Sequence, residues 1–144
     1  KELVVVDPPL PIDGSSSSDT NRDPQLEGTR TWTCQHPGVR IDPQLDIISD
    51  DGNELYALYH KLGIKRILLA GVHINACMLN RSFAIKQMVR WRIPIYLLRD
   101  LTDCMYNPAQ APYVSHEFGL ELVIRYIEQF WCPSATGAEL RLVS

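Results

Sequence analysis

The sequence has no long apolar run, no closely spaced cysteine pair and no excess of basic residues, and each absence excludes a class of protein. A transmembrane helix needs about 20 consecutive apolar residues, and the first residues lack the pattern of a signal peptide. The net charge of -3 gives no electrostatic footprint for nucleic acid or an anionic membrane. We therefore expect neither nucleic acid nor a membrane as a partner.

The four cysteines are widely spaced, and none belongs to the C-x-x-C pair that is typical of metal and redox sites. In a chain with 45% hydrophobic and 22% charged residues, this usage favours free thiols, a reducing compartment and a cytoplasmic location, and it leaves a disulfide open. A chain of 144 residues is long enough for one domain with a real core. We expect residues 1–45 to form an irregular arm and residues 46–132 to form the recognisable core. The cysteines are Cys34, Cys77, Cys104 and Cys132.

The strongest pattern lies around Cys77. An apolar run at residues 67–70 predicts a buried strand, and residues 76–90 have the apolar spacing of a helix. Cys77 therefore lies at the carboxyl end of a strand and at the start of a helix, where open α/β sheets carry their chemistry. Unpaired N–H groups there favour a thiolate, which is a strong nucleophile. The alternative is a small buried side chain that begins a helix.

Three further elements are recognisable on either side. Asp50 or Asp51 can cap a helix that Gly63 ends, residues 95–98 form a second apolar strand, and Ser115 caps a last helix. Short, continuously apolar strands that alternate with helices are typical of a parallel sheet covered by helices. We therefore predict an α/β fold.

Two strands are few for such a sheet. Residues 3–6 and 39–41 are further candidate strands, and residues 101–114 form a predicted long loop. Either the two short segments complete the sheet, or strands are missing from this sequence. In the second case we expect an open sheet edge that promotes association.

Residues 67–79 read Ile-Leu-Leu-Ala-Gly-Val-His-Ile-Asn-Ala-Cys-Met-Leu. They resemble the signature of isochorismatase-like cysteine hydrolases, an apolar strand followed by Gly-Val-x-Thr-(Asn/Asp)-x-Cys-Val. The strand that ends at Asp100 and the loop that follows it are similar to the same family, over residues 54–132. The resemblance implies a Rossmann-like three-layer sandwich with a central parallel sheet flanked by helices. It also implies a homo-oligomeric hydrolase that cleaves a C–N bond of a small amide or ureido compound without a cofactor.

The resemblance assigns roles to residues of the signature. Cys77 matches the nucleophile, and the Val72–His73 bond matches a non-proline cis peptide. The backbone N–H groups of His73 and Cys77 match the oxyanion hole, which stabilises the tetrahedral intermediate. Asn75 stands at the Asn/Asp position, where it fixes the turn or contacts the substrate. Ile74 replaces the usual threonine.

The loop after the second strand supplies candidate substrate-binding residues. Asp103 and Tyr106 lie there, and for Asp103 the alternative is that it holds the loop in place. Nicotinamidase members bind a metal through an aspartate and paired histidines. His36 has no second histidine before His60, so we expect no metal site.

Two catalytic residues of the family have no clear counterpart. No lysine occurs from residue 2 to residue 60, where the family's lysine is expected, and the guanidinium of Arg40 cannot exchange a proton as an ammonium can. The family's proton-accepting aspartate follows its first strand. Asp7 is the candidate here, unless that strand lies upstream of Lys1. Because the triad is incomplete, the second hypothesis is a catalytically silent homologue that oligomerises or binds a small molecule.

Overall fold

The computed structural model describes residues 2–15 and 37–140. In these ranges, the helices are α1 (Gly52–Leu62), α2 (Cys77–Asn80), α3 (Ile85–Arg90), α4 (His116–Phe130) and α5 (Gly137–Leu140). The strands are β1 (Ile67–Val72), β2 (Ile95–Asp103) and β3 (Ser134–Ala135). They form one parallel sheet in the order β1-β2-β3, which confirms the predicted α/β fold with a parallel sheet.

The helix caps lie where the sequence predicts them. The Asp51 side chain accepts a hydrogen bond from the Asn53 N–H at 2.8 Å at the start of α1. Gly63 ends that helix with a φ of 65°, a left-handed conformation that glycine adopts without a steric penalty. Ser115 caps α4 by accepting from the Phe118 N–H at 3.2 Å. These local signals therefore set the ends of the two longest helices.

The single helix predicted over residues 76–90 is wrong, because the structure divides it into α2 and α3. Arg81 has an extended backbone with a ψ of 160°, so the α2 hydrogen-bonding pattern stops there. The start of α1 packs against this break. The Gly52 N–H donates to the Ser82 hydroxyl at 3.1 Å, and a Cβ on Gly52 would lie only 2.0 Å from the Ser82 carbonyl oxygen. The first residue of α1 therefore packs directly against the break between α2 and α3.

Of the alternatives left open for residues 3–6 and 39–41, the strand does not form, since neither segment is a strand in the structure. The first segment instead lies against the end of α3, where the Leu3 N–H donates to the Arg90 carbonyl at 2.8 Å. β2 extends to Asp103, so the predicted loop begins later than expected. Two elements beyond the predicted core, β3 and α5, went unrecognised because they are only two and four residues long.

The register of the sheet brings the end of β2 beside the end of β1. Ile67 pairs with Ile95 and Leu69 with Leu97, after which an irregularity shifts the register. Beyond it, Val72 pairs with Asp103. Asp103 is thereby placed next to the turn that leads to Cys77.

The hydrophobic core draws on β2 and on the helices α2, α3 and α4. Its fully buried side chains are Tyr106, Ile74, Leu79, Ile85, Met88, Leu97, Ile127 and Val123. The strand predicted at residues 67–70 is present as β1, but the prediction that it is buried is wrong, because each of its residues is half-buried or exposed. Within the described residues β1 pairs only with β2, and Leu68 and Val72 are exposed. None of the helices in residues 2–15 and 37–140 has the length and apolar character needed to cross a membrane.

Candidate active site around Cys77

Cys77 follows a tight turn at the carboxyl end of β1. The His73 carbonyl accepts hydrogen bonds from the N–H groups of Ala76 at 3.0 Å and Met78 at 3.2 Å, which closes the turn. The Cys77 thiol is free and exposed. The Val72–His73 peptide bond is cis, the geometry that the resemblance implies at this position. In the described part of the chain, the backbone N–H groups of His73 and Cys77 have no hydrogen-bond acceptor.

Asn75 connects this turn to the segment after β2. Its Nδ2 donates to the Met105 carbonyl at 2.8 Å, and its Oδ1 accepts from the Met105 N–H at 2.8 Å. The residue is buried, and a Cβ on Gly14 would lie 2.6 Å from Nδ2. The N-terminal segment therefore covers the amide. The sequence left two roles open for Asn75, and these contacts favour the one in which it fixes the turn.

Asp103 forms an ion pair with His116 at the first position of α4. Its Oδ1 accepts from the Cys104 N–H at 2.7 Å and lies 2.8 Å from Nε2 of His116. Burial acts to raise the pKa of the Asp103 carboxyl, but the hydrogen bonds from His116 and Cys104 outweigh it and hold that pKa below 3.8. Asp103 therefore fixes the segment that follows β2, and its carboxylate faces the ring of His116.

The two ring nitrogens of His116 both face oxygen acceptors. Nδ1 lies 3.1 Å from the Tyr106 carbonyl, which can only accept, and Nε2 faces the Asp103 carboxylate. An imidazolium donates to both, whereas a neutral ring donates to only one. The hydrogen bond to Asp103 accordingly raises the pKa of His116 above 6.5, against the opposing effect of burial. His116 is better suited to fix charge and position than to accept a proton.

This ion pair predicts a pH dependence of stability. Because the pKa of His116 is raised, the contribution of this histidine to the free energy of unfolding is complete below pH 6.5. That contribution is lost as the pH rises through the pKa of His116 in the folded state. Asp103 contributes above pH 3.8 and loses its contribution as the pH falls. We expect His116→Gln to lower the free energy of unfolding more at pH 5.5 than at pH 8.5. The difference should be below about 1 kcal/mol, because the Asp103 side chain is 51% exposed and solvent screens the pair.

Urea unfolding of the wild type and the variant at both pH values measures this difference. His60→Gln is the matched control, because His60 is exposed and forms no ion pair with the other described residues. Equal losses for His116→Gln at the two pH values would show that the imidazolium is not what stabilises the segment.

The atoms of Asp103, Cys104 and His116 that can bind a metal lie within 4.8 Å of one another. Burial, together with the charge of Asp103, raises the pKa of the Cys104 thiol to about 11, so the group is a thiol at neutral pH. A metal needs the thiolate and a free imidazole nitrogen, and here both nitrogens already face oxygen atoms. The chemistry of this cluster therefore favours an ion pair beside a buried thiol over a metal centre.

Asp7, the candidate proton acceptor, contacts residues of α3 and α4. Its carboxylate accepts from Lys86 Nζ at 2.8 Å and from the Tyr126 hydroxyl at 3.1 Å. The hydrogen bond from Lys86 lowers the pKa of Asp7 in spite of partial burial. Asp7 makes no hydrogen bond to Cys77, so the structure uses it to attach the N-terminal segment to α3 and α4.

Tyr106 is a core residue in the structure. It is fully buried, its hydroxyl donates to the Gln110 carbonyl at 3.0 Å, and the Val114 N–H donates to that hydroxyl at 3.2 Å. These bonds leave no part of the side chain for a substrate. Arg40 is exposed, and His36 lies outside the described residues.

His116 and Lys86 are the polar partners that sequence reasoning missed. His116 follows a helix cap, a position that indicates only a helix start, and Lys86 lies in a stretch expected to be an ordinary helix face. Their partners are 13 and 79 residues away along the chain. A carboxylate in the loop after a strand, followed by a histidine at a helix start, is the one signal that could have pointed to the first pair.

Comparisons with protein-family models, with curated proteins and with solved structures find no match to this chain.

Proposed function

We propose that this protein is an isochorismatase-like cysteine hydrolase that attacks a C–N bond of a small amide or ureido compound through Cys77. The observation that carries the proposal is an exposed thiol beside unpaired backbone N–H groups. Among the described residues, those of His73 and Cys77 have no acceptor. Donors of this kind stabilise the oxyanion that forms when a thiolate adds to a carbonyl, typically by a factor of about 10²–10³ in rate.

The proposed reaction has two steps. The Cys77 thiol loses its proton to solvent, and the sulfur adds to the carbonyl carbon, so that the carbonyl oxygen becomes an oxyanion held by the two N–H groups. The C–N bond breaks as the C=O bond re-forms, and the leaving amine takes up a proton. Water then adds to the acyl-thioester and releases the acid and the free thiol.

The surroundings of Cys77 support a fixed geometry for this chemistry. Asn75 ties the turn to Met105, and the Ile74 N–H donates to the Asp103 carbonyl at 2.9 Å. Asp103 is in turn held by His116. Hydrogen bonds therefore connect the cysteine turn to β2 and α4, and such support keeps catalytic donors in position.

The three-layer sandwich, a homo-oligomer and a cytoplasmic location belong to the same proposal. The exposed apolar side chains of Leu68 and Val72, on a strand that pairs on only one side within the described residues, support association.

A second candidate function is a catalytically silent homologue that binds a small molecule. It is favoured by the position of Asp7, whose carboxylate is used by Lys86 and Tyr126 and does not contact Cys77. Saturable binding of a small molecule that the wild type does not turn over, and that Cys77→Ser weakens, would favour it.

Selective alkylation tests whether Cys77 is the reactive thiol. We expect iodoacetamide to modify Cys77 in the native protein at neutral pH and to spare Cys104 and Cys132. Both of these are buried, and burial raises the pKa of their thiols to about 11 and about 12. Peptide mapping by mass spectrometry locates the label, and Cys77→Ser should lose it.

Turnover tests the hydrolase itself. A screen of small amides and ureido compounds should find a substrate whose hydrolysis Cys77→Ser lowers by about 10³-fold or more, while Cys104→Ser retains most of the rate. Native labelling of Cys104 in preference to Cys77, or hydrolysis that survives Cys77→Ser, would contradict the proposal.

A further inference from the structure

A groove lies at the opposite end of β1 from Cys77, where the strand begins. We call it the aromatic groove. It is lined by Tyr56, Tyr59 and His60 of α1, by Lys65, and by Trp91 and Arg92 after α3. None of these residues contributes to the turn around Cys77, so the groove is a separate feature of the surface.

The aromatic side chains of the groove are in contact with one another. The ring of Tyr56 lies 4.9 Å from the ring of Trp91 in an edge-on arrangement and 4.4 Å from the ring of His60. Nε1 of Trp91 donates to the Glu2 carboxylate at 2.9 Å, which fixes the indole. Ring surfaces held in this way can pack against a planar ligand with little loss of side-chain entropy.

The charge at the groove is positive, although the chain as a whole carries a net charge of -3. Lys65 and Arg92 line it. Across residues 2–15 and 37–140, neither of the two forms an ion pair. The neighbouring carboxylate of Glu2 is already used by Trp91 and Gln87.

Arg92 has an unusual backbone. Its φ is 62°, the left-handed region that favours glycine, and it follows Trp91, the C-cap residue of α3. The Arg92 N–H donates to the Val89 carbonyl at 2.9 Å, as in the usual helix ending where glycine is common. Glycine would relieve the strain, but it would remove a cation from the groove. Strained residues of this kind concentrate at binding sites.

We propose that the aromatic groove binds a small planar aromatic anion, a ring that carries a phosphate or a carboxylate. The ring packs against Tyr56 and Trp91. The anionic group pairs with Lys65 and with Arg92, whose planar guanidinium suits both phosphate and carboxylate. This site is independent of the chemistry at Cys77.

Isothermal titration calorimetry with four probes tests the site. Adenosine 5′-monophosphate carries both the ring and the phosphate, adenosine lacks the charge, and ribose 5-phosphate lacks the ring. We expect saturable binding of the monophosphate and affinities at least about tenfold weaker for the other two, because each lacks one of the two interactions. Benzoate distinguishes the source of the anion, since its binding would show that a carboxylate is accepted in place of a phosphate.

Two variants locate the binding. Lys65→Gln and Arg92→Gly should each weaken monophosphate binding about tenfold, which corresponds to one lost charged contact. Arg92→Gly should at the same time raise Tm by about 2 °C, because glycine accepts the left-handed backbone. Arg66→Gln, next to Lys65 but outside the groove lining, is the matched control and should change the affinity less than about twofold.

Three results would overturn the proposal. They are ribose 5-phosphate binding as tightly as the monophosphate, equal effects of Lys65→Gln and Arg66→Gln, and no heat with either the monophosphate or benzoate. A higher Tm of Arg92→Gly with unchanged affinity would likewise show that the arginine does not serve binding. None of these outcomes depends on hydrolysis by Cys77, so the two proposals fail separately.

Discussion

Replacing Asn75 by alanine is expected to lower the free energy of unfolding by about 2–4 kcal/mol, because it leaves the N–H and the carbonyl of Met105 without partners. Both groups now bond to the buried Asn75 amide at 2.8 Å. Urea unfolding measures the loss. The same variant should make Cys104 accessible to iodoacetamide, since Cys104 directly precedes Met105 and is buried in the wild type.

Two further variants isolate the cause. Asn75→Asp keeps an oxygen for the Met105 N–H but places a second oxygen against the Met105 carbonyl, so it should cost at least as much as alanine. Asn80→Ala is the matched control, because Asn80 is exposed and its amide donates to the Ala76 carbonyl of its own helix turn at 3.1 Å. We expect a loss below about 0.5 kcal/mol for Asn80→Ala. Similar losses at the two asparagines would mean that the link to Met105 does not hold the turn.

The elements that the sequence predicts correctly depend on short-range signals. Asp51 and Ser115 cap helices through N–H groups two and three residues away, and Gly63 ends α1 through its own backbone freedom. The two main strands are continuous apolar runs, which predict the presence of both strands, although only β2 contains buried residues. Local pattern and structure therefore agree at α1, at the positions of β1 and the start of β2, and at the start of α4.

The errors concern contacts between distant residues. The break between α2 and α3 is occupied by Gly52, which meets Ser82 thirty residues later, and no spacing within residues 76–90 reveals it. Residues 3–6 have the composition of a strand, but they lie along α3 because Asp7 pairs with Lys86. Tertiary contacts of this kind override local propensity.

The candidate site, like the fold, has one part that short-range patterns predict and another part that depends on contacts between distant residues. The position of Cys77 after β1 follows from hydrophobic pattern, and that position is the one the sequence predicted. Asp103 bonds to His116, which lies 13 positions further along the chain. Asn75 bonds to Met105, which lies 30 positions further along. Neither contact can be predicted without the folded structure. Burial decided the role of Tyr106, which on sequence alone is as suitable for a pocket as for a core.

Gly119→Ala tests how tightly α4 packs on the core, and we expect it to lower the free energy of unfolding by about 2 kcal/mol. Alanine in a helix gains about 1 kcal/mol over glycine. A Cβ on Gly119 would, however, lie 2.4 Å from Cδ1 and 2.7 Å from Cε1 of Tyr106. The ring cannot move aside, because its hydroxyl is hydrogen-bonded to Gln110 and Val114. Overpacking of a rigid core costs about 1–3 kcal/mol or more, so the clash outweighs the gain in helix propensity.

A double-mutant cycle with Tyr106→Leu separates the two effects. Without the ring, Gly119→Ala should cost at least about 1 kcal/mol less than in the wild type, because only the helix preference remains. Gly137→Ala in α5 is the control. There a Cβ would lie 3.4 Å from the Asp100 carboxylate, so the change should stay within about 0.5 kcal/mol. Additive losses in the cycle would show that α4 does not rest on the Tyr106 ring, and a different contact would then have to set the position of His116.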